Sequence, residues 1–68
     1  MTQKEIESQL KEVATEGAIT MSLTEISRAV KDTNLNRVRK KYLLGLPRLG
    51  SGYLIRDVAR RLYENANY

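Results

Sequence analysis

Apolar residues recur at helical spacing in four stretches of this chain. In the first, Ile6, Leu10, Val13 and Ala14 fall at i, i+4, i+7 and i+8, one stripe of a helix. Ahead of them Thr2 and Glu5 fit a capping box, in which hydroxyl and carboxylate each take the other residue's amide. Gly17 suits the left-handed residue that follows a helix end. These signals predict helix 1 over Gln3–Glu16. Ile19 and Met21 flank polar Thr20, the alternation of a short strand. Ser22 and Glu25 form a second capping box, and Leu23, Ile26, Ala29 and Val30 follow at helical spacing. Helix 2 is therefore expected over Leu23–Val30.

Lys31-Asp32-Thr33-Asn34 interrupts the pattern and holds three residues able to cap a new helix. From Leu35 the helical rhythm resumes. Leu35, Val38 and Tyr42 lie at i, i+3 and i+7 on one face, and helix 3 should end near Leu44, with Gly45 as the stop and Pro47 beyond. Two short helices joined by such a turn make a helix-turn-helix unit. Leu46–Leu49 and Tyr53–Ile55 read as extended arms around Gly50-Ser51-Gly52, a hairpin with glycine in its tip, where positive φ costs little. Asp57 is placed to cap a last helix, Val58–Asn65, with Val58, Ala59 and Leu62 toward the core. Ala66-Asn67-Tyr68 should fray. The fold class is mostly α with a small β-hairpin. At 68 residues it is expected to be one domain with one core.

Charge adds a second pattern. Residues 1–25 carry two cations against five acids, whereas residues 26–68 carry ten cations against three acids. The cations concentrate in Leu35–Arg48, which holds Arg37, Arg39, Lys40, Lys41 and Arg48 and no acid. On helix 3, Asn36, Arg37, Lys40 and Lys41 point away from the apolar stripe, and Arg39 flanks it. One face can be held by a core while the other meets a polyanion. An anionic membrane surface competes as partner. It calls for large apolar residues free to insert, and here Val38 and Tyr42 are needed by the core. The acidic outer face of helix 1 marks it as scaffold.

Other classes are poorly served. The chain has no cysteine and no histidine, so disulfides, the common zinc sites and histidine acid–base catalysis are excluded. No glycine-rich phosphate loop follows a strand, and no carboxylate pair lies in an evident cleft, so no enzymatic role, cofactor or small-molecule substrate is expected. No apolar run nears the roughly 20 residues of a membrane span. The opening MTQKEIESQL is not patterned as a signal peptide. The composition suits a reducing cytoplasm.

Helix, short strand, helix, turn, helix, hairpin is the winged-helix order of elements. From Ser22 onward the chain resembles the excisionase and MerR-type winged helix-turn-helix family. The resemblance rests on Ser22 with Glu25, Asn34 through Tyr42, Gly45-Leu46-Pro47, Leu49-Gly50-Ser51-Gly52-Tyr53, and Arg56-Asp57-Val58 with Leu62. It covers about two thirds of the chain. It departs from the family pattern in the Lys31–Asn34 turn, where the family often has glycine, and in the added helix 1. The resemblance implies a phage or mobile-element DNA-binding protein, acting as an excisionase-like architectural factor or a small transcriptional regulator. Its partners would be double-stranded DNA and either an integrase or further copies of itself.

On that reading helix 3 enters the major groove. Asn36 and Arg37 in its first turns reach base edges, with Asn34, Arg39, Lys40 and Lys41 on the same surface. The wing, with Arg48, Ser51, Gly52 and Arg56, grips the flanking backbone or minor groove. Two other classes stay open. One is an interaction module docking its basic face on an acidic host protein. The other is RNA binding, which usually stacks bases on exposed aromatics. This chain has four tyrosines and no Phe or Trp.

Overall fold

The computed structural model describes residues 2–66, so the fraying expected at Asn67 and Tyr68 lies outside the described residues, whereas Ala66, expected to fray with them, is the last residue of a helix. The protein is mostly helical, with four helices and a small three-stranded antiparallel sheet among the described residues.

Helix α1 spans Gln3–Val13 and begins at the expected capping box. The Glu5 amide donates to Thr2 Oγ1 at 3.2 Å, and the Thr2 amide donates to Glu5 Oε1 at 3.0 Å. The helix ends three residues before the predicted Glu16. Ala14 is already extended, at φ −73° and ψ 166°. A tight turn takes the remaining residues: Ala18 N–H donates to Thr15 O, and Gly17, at φ +79°, supplies its left-handed position. Gly17 thus serves a turn that aims the chain into the sheet, and not the helix end itself.

Strand β1 (Thr20–Ser22) leads straight into α2 (Leu23–Val30). Ser22 closes the strand and caps the helix, accepting from Glu25 N–H at 3.2 Å while its own N–H reaches Glu25 Oε1 at 2.9 Å. Lys31 terminates α2 in the left-handed region, at φ 59° and ψ 39°, donating its N–H to the Ser27 and Arg28 carbonyls.

Helix α3 (Leu35–Val38) runs on as a π-helical turn, Arg39–Leu43. The wider turn, with its i→i+5 hydrogen bonds, changes which residues share a face. Val38 and Leu43, five apart, are both buried. Leu35, expected on the core face, is instead 40% exposed, and Tyr42 is half-buried.

Strands β2 (Arg48–Leu49) and β3 (Gly52–Leu54) form the hairpin. Its loop is two residues, Gly50-Ser51, not three. Gly50 has φ +63° and Ser51 has no positive φ, the type II′ arrangement that matches strand twist. Gly52 lies inside β3, between Leu49 of β2 and Ser22 of β1. A Cβ there would stand 2.7 Å from the Met21 carbonyl oxygen, so the sheet itself demands glycine. The sheet order is β1-β3-β2.

Helix α4 spans Ile55–Ala66 and starts three residues before the predicted Val58. Its first amide donates to Ile19 O at 2.9 Å, extending the β1–β3 pairing into the helix. Ile55, Val58, Ala59 and Leu62 make one stripe at i, i+3, i+4 and i+7, which draws Ile55 out of the strand and into the helix. Asp57 therefore sits within the first turn, 3.9 Å from Arg60, and is not the cap. The core joins Ile6 and Leu10 of α1, Met21, Ile26, Val38, Leu43 and Tyr53 to Ile55, Val58 and Ala59 of α4. No helix among the described residues is long and apolar enough to cross a membrane.

Candidate nucleic-acid interface

The basic face is built on the turn between α2 and α3. Ser27 is buried on α2, and its hydroxyl donates to the Asp32 carbonyl at 2.6 Å. The Asp32 amide returns to Ser27 O at 3.1 Å. Asp32 is thus fastened to α2 by its backbone, and its carboxylate turns toward α3. There Oδ1 accepts the Asn34 amide at 3.0 Å. Arg37 donates Nε–H to Oδ2 and Nη2–H to Oδ1, each at 2.7 Å. Asn34, not Asp32 or Thr33, caps α3, its side chain accepting from Arg37 N–H at 3.1 Å.

The electrostatics follow from this geometry. Arg37's two hydrogen bonds and the Asn34 amide hold the Asp32 carboxyl at about 2, and the same pairing raises Arg37 above its ordinary value. The Arg37 side chain stays 64% exposed although its guanidinium is held. Arg37 is therefore a fixed cation at the surface and not a freely rotating one. Across the chain, Thr2's amide and hydroxyl lower Glu5 in the same way at the α1 cap.

Beyond Arg37 the face continues through Asn36, Arg39, Lys40 and Lys41, all exposed. The ammonium of Lys41 lies 5.3 Å from the centre of the Tyr42 ring. A π-helical turn leaves carbonyls at its end without helical partners, and α4 supplies donors for them. Asn65 Nδ2 donates to Lys41 O at 3.2 Å, and Arg61 Nη1 donates to Tyr42 O at 3.4 Å. Lys40 and Lys41 are thus presented from a segment braced on both sides, by the core through Leu43 and by α4.

The sites expected from the sequence separate into groups. Asn34, Asn36, Arg37, Arg39, Lys40 and Lys41 come together on or beside α3 and its π-helical turn. Arg48 and Ser51 are exposed on the hairpin. Gly52 is buried in the sheet and has no outward surface of the kind a hairpin tip offers, a correction that follows from the two-residue loop. Arg56 is exposed but borders a groove formed by Glu7, Lys11, Ile19, Leu54 and Ile55, beside α1. None of the α3 residues lines that groove.

Sequence reasoning missed Asp32 as Arg37's partner. The two are five apart across a turn, a separation that no helical or strand periodicity pairs. It also missed Arg28 and Lys31, exposed cations that line a second groove with Thr24, Ser27, Asp32 and Thr33 next to the Asp32–Arg37 pair. The signal for them was their position at the last turn of α2. No family model, curated protein or solved structure matches this chain.

Proposed function

We propose that this protein is a winged helix-turn-helix factor that binds double-stranded DNA, with α3 and its π-helical turn in the major groove and the β2–β3 hairpin as the wing. The observation that carries this reading is the concentration of exposed cations, Arg37, Arg39, Lys40 and Lys41, on one braced helical segment next to a fixed turn. Phosphate contacts position such a protein and base contacts specify its site. Arg37 and Asn36 at the start of α3 are in the part of a recognition helix that reaches bases. Lys40 and Lys41 further along meet phosphates, and Arg48 meets the flanking strand.

The resemblance to excisionase and MerR-type proteins supports a cytoplasmic role in a phage or mobile element, in recombination or in control of transcription. One monomer reads few positions, so the protein acts as several copies on adjacent sites or beside an integrase.

Titration of a labelled random duplex, followed by fluorescence anisotropy, tests this reading. With about 4–6 phosphates neutralised, log affinity falls against log salt with a slope of roughly −4 to −5. Single-stranded RNA competing better than duplex DNA would instead favour RNA as the partner.

A further inference from the structure

Arg37 has five N–H donors, and Asp32 takes two of them, one on Nε and one on Nη2. Both Nη1 hydrogens and one Nη2 hydrogen remain. One on each terminal nitrogen points forward from the guanidinium, side by side, as an end-on fork. Such a fork matches two acceptors lying in one plane, and the O6 and N7 atoms of guanine present that pair in the major groove. The side-on edge, which could otherwise take a phosphate or a carbonyl, is already occupied.

We propose that Asp32 is the positioning residue that gives Arg37 its base selectivity, locking the guanidinium side-on so that the end-on fork is the one paired edge left free, for the O6/N7 edge of one guanine. The inference rests on the DNA-binding reading above and adds the base class and the residue that sets it. Its support is a continuous chain of fixed groups. Buried Ser27 holds the Asp32 backbone, the Asn34 amide orients the carboxylate, and the Asn34 side chain holds the Arg37 backbone. Both ends of Arg37 are thus set before any ligand arrives, and its guanidinium is still open to solvent. An arginine already ordered loses less side-chain freedom on binding, which sharpens the difference between a matched and a mismatched base.

Asp32 also carries a cost that makes the idea testable. It is an acid beside a polyanion, so it lowers affinity for DNA in general while raising selectivity. Removing it should move the two quantities in opposite directions, which a merely structural residue would not do.

The test begins with selection of a preferred duplex from a random pool by the wild-type protein. Each guanine of that duplex is then replaced by 7-deazaguanine, which lacks N7. Affinities are measured for wild type, Arg37→Ala, Asp32→Asn and Asp32→Ala on selected, 7-deaza and random duplexes. Asp32→Asn keeps an acceptor for the Asn34 amide, and circular dichroism melts show which variants are folded. At one guanine the wild type should lose roughly 5- to 100-fold on 7-deaza substitution. That ratio should fall toward one in Arg37→Ala and clearly shrink in both Asp32 variants, whose affinity for the random duplex should rise. An undiminished ratio in folded Asp32 variants overturns the inference and leaves DNA binding standing. Equal losses on selected and random duplexes also overturn it, assigning Arg37 to a phosphate. Failure of the wild type to bind any duplex overturns the DNA-binding reading and this inference with it.

Discussion

Val38 and Leu43 lie five residues apart and are both buried in the same core, at 0% and 3% exposure. An α-helix would not align that pair, and the π-helical turn Arg39–Leu43 does. Leu43 is the residue that pins the basic segment to the protein, while its neighbour Leu44 is 68% exposed. Leu43→Ala should therefore cost about 2–4 kcal/mol, and Leu44→Ala should stay within about 0.5 kcal/mol. Urea melts of the two variants check this. Equal costs would mean that the segment is not registered as described.

The close approach of Gly52 to the Met21 carbonyl leaves no room for a side chain. Gly52→Ala forces β1 and β3 apart and should cost at least about 1–3 kcal/mol, or roughly 4–8 °C in Tm per kcal/mol for a domain of this size. Ser51→Ala, one residue away on the exposed loop, should leave Tm within a few degrees. Thermal melts followed by circular dichroism separate the two.

Lys31 holds a left-handed backbone without being glycine, alone in this among the described residues. Such a conformation costs an L-residue about 1–2 kcal/mol, and glycine's extra unfolded-state freedom costs about 0.5–1 kcal/mol. The balance of about 0.5–1 kcal/mol favours Lys31→Gly, which should raise Tm by about 2–8 °C. A lower Tm would show that the lysine side chain stabilises the fold in some way the turn geometry does not reveal.

Asp32 links the basic face to pH. Its carboxyl titrates at about 2, against an ordinary 3.8, chiefly because of the Arg37 hydrogen bonds and then the Asn34 amide. Between those values the unfolded chain binds more protons than the folded one. The pairing's contribution is thus fully present above about pH 4 and is lost as pH falls through about 2. Glu5, also lowered, adds to the fall with the same sign. Tm should drop between pH 5 and pH 2, and the drop should be smaller in Asp32→Asn. Identical pH profiles in the two proteins would contradict the pairing.

The elements most legible in the sequence are those with two agreeing local signals. Helix α2 is bounded correctly because Ser22 and Glu25 mark its start and its apolar spacing runs unbroken to Val30. Helix α4 was legible as a helix but not in its start. The β-like run Tyr53-Leu54-Ile55 hid the fact that Ile55 opens the stripe completed by Val58, Ala59 and Leu62. The π-helical turn was not legible, since a 3.6-residue rhythm assigned Leu35 to the core and passed over Leu43. For the basic face, the cations themselves stand out in the sequence. Asp32's hold on Arg37 depends on a turn geometry that no short-range pattern encodes, and Gly52's role depends on β1, some thirty residues earlier.

The proposed DNA-binding face is the set of exposed cations beside α3. Its most direct test compares salt slopes for duplex binding by wild type, by a Lys40→Ala/Lys41→Ala protein and by a Lys4→Ala/Lys11→Ala protein. Both double variants remove the same charge, the second from α1. The first should bind more weakly, with its slope flattened by about one for each phosphate that is no longer neutralised, while the second stays close to wild type. Equal weakening in both variants, or no duplex binding by the wild type at low salt, would mean that these cations are not a DNA-binding face.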